Sequence, residues 1–252
     1  MHLSVIIPAY NEAVRLSETM YTTQHALLQT TLADTSWEIV VCDNNSTDAT
    51  AITAQQLGAR VVPEAHQQIG QARNTGASAA SGQWLLYIDA DTHPSPELMQ
   101  EVIELTREAQ HIGCGSTVRV IDGTRLNKLR MERLNPLFRA FKLCGGAFLL
   151  CEAKAFRVLG GFSEGLYAYE EIDFVLRLKR YGRTQGKAFA ILHRHPVLTS
   201  GRKGDCRLGN IARMFGSNVA ALVLFVLHWV LPAHWLKGKG RGLFGYWYKR
   251  KG

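Results

Sequence analysis

The chain has 252 residues, 46% of them hydrophobic and 20% charged, with a formal net charge of +8. That balance is ordinary globular material and excludes a disordered, collagen-like or disulfide-stapled chain. Five scattered cysteines (Cys42, Cys114, Cys144, Cys151 and Cys206) form no C-x-x-C pair, which argues against a zinc ribbon and for a reducing cytosol.

The elements alternate from the start. Residues 3–7 form an apolar strand stopped by Pro8, where no basic leader or long apolar run suggests a signal peptide. A helix is expected over 12–33, a buried β-branched strand over 38–42, and a helix over 48–57 that ends at Gly58. A brief strand at 60–63 precedes an Ala-rich helix at 69–80 that stops before Gly82. Residues 84–88 are again a buried strand, and Ser95-Pro96-Glu97 opens a helix with a capping Ser, Pro at the first helical position and an acid in the first turn. The second half is less regular: strands at 114–121, 147–151 and 187–192, a basic amphipathic stretch at 125–142 broken at Pro136, and a helix over 170–180 capped by Gly182. This rhythm implies an α/β fold, a mostly parallel central sheet with helices on both faces.

Charge divides the chain in two. Residues 201–252 hold ten Lys and Arg against Asp205 alone, a net +9, while residues 1–200 come to −1. We therefore expect a neutral domain over 1–200 and a basic, aromatic-rich C-terminal amphipathic segment over 201–252 directed at a polyanion. The apolar run 219–230 is shorter than the roughly 18–20 residues of a spanning helix. With Trp229, Trp235, Trp247 and flanking basic residues, it suits an in-plane anchor on an anionic membrane face; a helix sealing the domain or a dimer is the plainer alternative.

In open α/β sheets ligands bind beyond the carboxyl ends of the strands. There the chain places Pro8-Ala9-Tyr10-Asn11-Glu12, then Asp43-Asn44-Asn45-Ser46-Thr47-Asp48, then Asp89-Ala90-Asp91-Thr92-His93. Asp89 and Asp91 can turn toward one divalent ion, and hard oxygen ligands suit Mg²⁺ or Mn²⁺ with positions left for phosphates. His93 could add a nitrogen ligand, and His193 or His195 after the last strand are further candidates; two capping aspartates are the simpler reading. Gly240-Arg-Gly242-Leu-Phe-Gly245 follows no strand and is no dinucleotide fingerprint, and no P-loop occurs.

Taken together, residues 4–12, 41–48, Ala72-Arg73-Asn74-x-Gly76, 86–91, Gly160-Gly161-Phe162 and Glu170-Glu171-Ile172-Asp173-Phe174-x-x-Arg177 resemble the family 2 glycosyltransferases of the GT-A fold, in the right order across residues 3–195. The resemblance implies a nucleotide-sugar donor, an inverting transfer to a carbohydrate or lipid-linked acceptor, and a divalent cation held by Asp91 with Asp89 nearby. It implies Asp43 on the nucleobase, Tyr10 stacked on it, Pro8 and Glu12 lining the nucleoside pocket, and Arg73 near base and phosphates. The acceptor-side pair falls on Glu170 and Glu171, with Glu171 as base in place of the commoner aspartate; Asp173 is the rival base or a partner of Arg177. With the basic tail, the expected location is cytoplasmic, peripheral on the inner membrane face, with no nucleic-acid partner. A sugar nucleotidyltransferase using the same carboxylates and a non-enzymatic polyanion binder remain alternatives.

Overall fold

The structure, a computed structural model, describes residues 2–30 and 36–201. The C-terminal segment expected over 201–252, with Cys206 and the 219–230 run, lies outside the described residues apart from Gly201. The order of elements is β1 (His2–Ala9), α1 (Ala13–Gln29), β2 (Ser36–Asp43), α2 (Thr50–Gln56), β3 (Arg60–Pro63), α3 (Ile69–Ala79), β4 (Trp84–Ile88), β5 (Thr92–His93) and α4 (Pro96–Arg107). Then come β6 (His111–Val120), α5 (Arg125–Phe141), β7 (Phe148–Glu152), α6 (Ala153–Leu159), α7 (Glu170–Thr184) and β8 (Ala188–Thr199).

The eight strands form one sheet in the order β3-β2-β1-β4-β7-β6-β8-β5. β1 pairs in parallel with β2 and β4, β2 with β3, and β6 with β8; β7 runs antiparallel to both β4 and β6. The mostly parallel α/β sheet is therefore observed, with β7 reversed near its middle and the short edge strand β5 antiparallel to β8. Alternation along each strand sends side chains to two faces. From β1 and β4, Leu3, Val5, Ile7, Leu86 and Ile88 join the core under α1 and α4, while Ile6, Leu85 and Tyr87 join the core under α3, α6 and α7. All are buried, so each strand reads as a continuous apolar run rather than an alternating one.

Ser95 caps α4 as its sequence suggests, accepting from the Leu98 N–H at 3.2 Å with Pro96 behind it. Two boundaries differ from expectation. α5 runs unbroken through Pro136. Proline cannot donate to the Glu132 carbonyl, but on a helix this exposed water can satisfy that acceptor. The last long helix does not stop at Gly182. It continues to Thr184, and a Cβ at 182 would lie 2.8 Å from Ile112 and 2.9 Å from the Lys187 carbonyl, so glycine there serves close packing. The four described cysteines are all buried free thiols.

Candidate active site

The carboxyl ends of β1, β2 and β4 meet at one rim. Asn44 N–H donates to the Ala9 carbonyl at 2.8 Å, closing the gap between the first two strand ends. Asn11, with φ +52, turns β1 into α1, and its side chain accepts from the Thr47 N–H at 2.8 Å. Asp48 accepts from the Thr50 N–H at 2.9 Å and the Ala13 N–H at 3.2 Å. The polar run after β2 is thus a clasp that locks the start of α1 to the start of α2. It leaves Asp43 half-buried at the strand end, accepting from the Ser46 N–H at 3.3 Å. Tyr10 and Glu12 are half-buried on the same turn, and Pro8 is buried in β1 beyond its last pairing with β4, where a missing N–H costs no ladder bond.

Glu64 was not singled out from the sequence, yet it follows β3 as Asp43 follows β2. Its backbone N–H donates to the Asp43 carbonyl at 2.8 Å. Its carboxylate accepts from Thr75 Oγ1 at 2.5 Å and from the His66 N–H at 2.8 Å. Burial pushes its pKa up, but these hydrogen bonds outweigh it and hold the group below its ordinary value. The strand-end rule applied to β3 would have found it.

The centre of the site is Arg73, 2% exposed on α3. Its guanidinium donates to Glu170 Oε1 at 2.7 Å and to Asp89 Oδ1 at 3.3 Å, and lies over the Phe162 ring at 5.4 Å. Burial opposes its charge, but the Asp89, Glu170 and Glu171 carboxylates together keep it protonated. Burial and the Glu171 carboxylate push Glu170 up to about 8, against the pull of Arg73. Gly146 leaves the room: a Cβ there would stand 2.0 Å from an Arg73 nitrogen.

The rest of the Ala72–Gly76 motif is explained by packing. Asn74 clamps the Phe162 backbone, donating to its carbonyl and accepting from its N–H, both at 2.9 Å. Gly161, at φ +72, could not carry a Cβ, which would meet Asn74 Oδ1 at 2.5 Å. Gly76 lets α3 lie on Ile6 of β1, where a Cβ would come within 2.6 Å. Gln68 donates to the Glu164 and Leu166 carbonyls, both at 2.8 Å, tying the same loop down. α3 therefore positions the 160–170 loop, and through it the start of α7.

At that start, Glu170 is buried and Glu171 half-buried. Asp173 pairs with Arg177: its Oδ2 accepts from Arg177 Nε at 2.8 Å and Nη2 at 2.6 Å. Arg177 also donates to the Leu159 and Gly161 carbonyls, which makes the pair a brace for the Gly160-Gly161 turn.

Asp91 is 2% exposed, and its carbonyl accepts from the Ser200 N–H at 3.1 Å, so the end of β8 holds the Asp89–Asp91 turn in place. His93 is not gathered with these carboxylates. β5 pairs with β8, and the ring Nδ1 lies 3.4 Å from Thr22 Oγ1 on α1. His195 Nδ1 is 2.5 Å from Glu101 Oε1, and His193 Nδ1 is 3.3 Å from the Ile191 carbonyl. Among the described residues no group of three His, Cys, Asp or Glu side chains is arranged for one metal. Two carboxylates nonetheless fit Mg²⁺ or Mn²⁺, which take hard oxygens and fill their remaining positions with water and phosphate.

A family model described as glycosyl transferase family 2 matches residues 4–159. An uncharacterized glycosyltransferase of Haemophilus influenzae is 26% identical over 192 residues, covering 70% of this chain and 61% of that protein. A dolichol-phosphate mannosyltransferase of Pyrococcus furiosus is 33% identical over 121 residues, 46% of this chain and 33% of that one. The chain thus spans less than two thirds of these curated relatives. The structure of a mannosyltransferase from Pyrobaculum calidifontis in complex with GDP-Man and Mn²⁺ superposes with a TM-score of 0.63 at 17% identity, over 99% of this chain and 76% of that one, a likeness of fold.

Proposed function

The chain belongs to glycosyl transferase family 2, and on that premise we propose that it is an inverting glycosyltransferase that moves a sugar from a nucleoside-diphosphate sugar to an acceptor hydroxyl. One observation carries the reading. Buried Arg73 bridges Asp89, at the end of the donor-side strand β4, to Glu170, at the start of the acceptor-side helix α7. One carboxylate suited to a cation, Asp89, and the residue next to the proposed base, Glu170, are thereby held in a single network.

In this reading Asp43 accepts from a ring N–H of the nucleobase, as uracil or guanine offers. Tyr10 covers the base, and Pro8 and Glu12 shape the nucleoside pocket. Asp89 and Asp91 are the residues that would hold Mg²⁺ or Mn²⁺, which would supply positive charge to a departing diphosphate. Arg73 keeps Asp89 oriented and adds fixed positive charge beside it. Glu171 takes the proton from the acceptor oxygen, which attacks the anomeric carbon on the face opposite the departing diphosphate; the configuration inverts. Glu170 cannot be that base while its carboxylate is committed to Arg73.

The base assignment is tested by Glu171→Gln, which lowers turnover by about 10²–10⁴-fold with donor affinity intact. Asp173→Asn lowers the melting temperature instead, since it unbraces the Gly160-Gly161 turn. If Asp173→Asn abolishes turnover in a folded protein while Glu171→Gln works normally, the base is misassigned.

No helix among the described residues is long and apolar enough to cross a membrane. The net charge of +9 in residues 201–252 supports a peripheral site on an anionic inner leaflet and a lipid-linked acceptor.

A further inference from the structure

α5 packs on the domain by very little of its surface. Of its seventeen residues only Asn127 is buried. Its hold on the sheet is polar: Asn135 donates to the Val118 carbonyl at 2.9 Å and accepts from the Val118 N–H at 3.1 Å, at the point where the β6–β8 register shifts. Met131 adds an apolar contact with the core.

The outer flank is not the polar surface expected of such a helix. Leu126, Leu129, Leu137 and Phe141 are 71%, 42%, 52% and 65% exposed. At 3.6 residues per turn, Leu126, Leu137 and Phe141 fall along one flank with Arg130 and Arg133 interleaved. Residues 125–142 carry six Lys and Arg against Glu132 alone. Apolar side chains that reach past arginines on a basic helix match an element lying in the headgroup region, leucines in the acyl boundary and guanidinium groups on phosphates.

The chain outside the described residues leaves from the same place. Gly201 N–H and Ser200 Oγ both donate to the Asp122 carboxylate, immediately before the Thr124 cap of α5. The segment that follows is itself strongly basic. Both basic stretches of sequence favour one anionic partner.

The far end of α5 leads into the site. The chain passes from Lys142, at φ +49, through Cys144 to Gly146 against the Arg73 guanidinium, and Cys144 feels the Glu171 carboxylate. We propose that α5 is an in-plane lipid-docking helix that seats the acceptor side of the site on an anionic bilayer. The docking itself needs no donor; its consequence, an acceptor presented at headgroup level, rests on the glycosyl-transfer reading above.

The test uses the full chain with phosphatidylcholine vesicles, with and without phosphatidylglycerol, at low and high salt. Leu126→Glu/Leu137→Glu/Phe141→Glu should lower affinity for the mixed vesicles by roughly tenfold or more. Arg130→Gln/Arg133→Gln should cost about fivefold per charge on anionic vesicles only, an effect that salt removes. A fluorophore on Leu137→Cys should be water-exposed in the free protein and shift to the blue on mixed vesicles. That readout needs no destabilising change, so a misfolded triple variant cannot hide the answer. The proposal is overturned if the label is already shielded without lipid, if the triple variant breaks up a dimer, or if both variants bind vesicles like the wild type. Vesicle binding through α5 in a chain that transfers no sugar would refute the transferase and leave the docking helix standing.

Discussion

Between residues 2 and 88, β1 to β4 all run parallel to one another, whereas beyond them direction is mixed: β7 runs against both β4 and β6, and β5 against β8. The first half presents chemistry by a rule: each long strand ends in a polar turn, and the turns meet because parallel strands finish on one edge. The second half presents chemistry by contact. Glu170 and Glu171 do not follow a strand; they are placed by Asn74, Gln68 and the Arg177–Asp173 brace acting on the loop before α7. The strand-end residues are thus presented by their place after each strand, though the Asp89–Asp91 turn is also held by Ser200, and Glu170 and Glu171 depend on side chains reaching across more than eighty positions.

The largest expected effect lies on the donor side. Asp91→Asn should remove most cation-dependent turnover, several kcal/mol of transition-state stabilisation or roughly a thousandfold in rate. Steady-state kinetics over a Mn²⁺ titration, with EDTA on the wild type, measure it. Near-normal turnover in either experiment would break the donor assignment while leaving the acceptor side untouched.

Arg73 joins the halves, and its removal should be felt by both. Arg73→Met removes the buried hydrogen bonds to Glu170 and Asp89 and should cost about 1–3 kcal/mol of stability in urea denaturation. Arg73→Lys should not restore it, because one ammonium cannot bridge Glu170 and Asp89 while lying flat against Gly146 and Phe162. A fully stable Arg73→Met would mean the halves are coupled elsewhere.

Asp43→Ala should weaken UDP or GDP binding by about 1–3 kcal/mol, the loss of a charge-assisted hydrogen bond, with the base step intact. Calorimetry on nucleotide alone isolates this from the acceptor side, and unchanged affinity for both nucleotides would remove Asp43 from the base pocket.

The smallest effect sharpens the role of Glu64. Its folded pKa lies below its ordinary value, so it contributes stability that is present above that value and is lost as pH falls through the folded one. Glu64→Gln should therefore cost about 1 kcal/mol near neutrality and almost nothing in acid. Thermal melts at neutral and strongly acidic pH should show the two proteins converging; a gap that widens in acid would reverse the sign argued here.

Much of the donor side was legible because its signals are local. Buried parallel strands are continuous apolar runs, and Ser95-Pro96-Glu97 and the residues after β2 and β4 act within a few positions of where they stand. Proximity in sequence settled little on the acceptor side. Nothing in Phe148–Glu152 records that the strand runs backward, since a buried strand carries the same apolar residues in either direction. Gly182 looked like a stop and proved a packing contact, and Pro136 looked like a break and proved tolerable on an exposed helix. Spacing could not show that His93 lies in a strand paired with β8, its ring beside Thr22 of α1.

By itself, then, the sequence determined the α/β alternation, the strand-end carboxylates and the basic tail, all properties of periodicity, composition and spacing along one chain. The tertiary structure alone decided that Arg73 bridges Asp89 and Glu170, that Asp173 belongs to Arg177, and that the leucines of α5 face outward. The physical reason is common to all three. Which charge a buried cation neutralises, and which face of a helix finds no partner, depends on what the rest of the fold brings within a few ångströms, and spacing along the chain does not encode that distance.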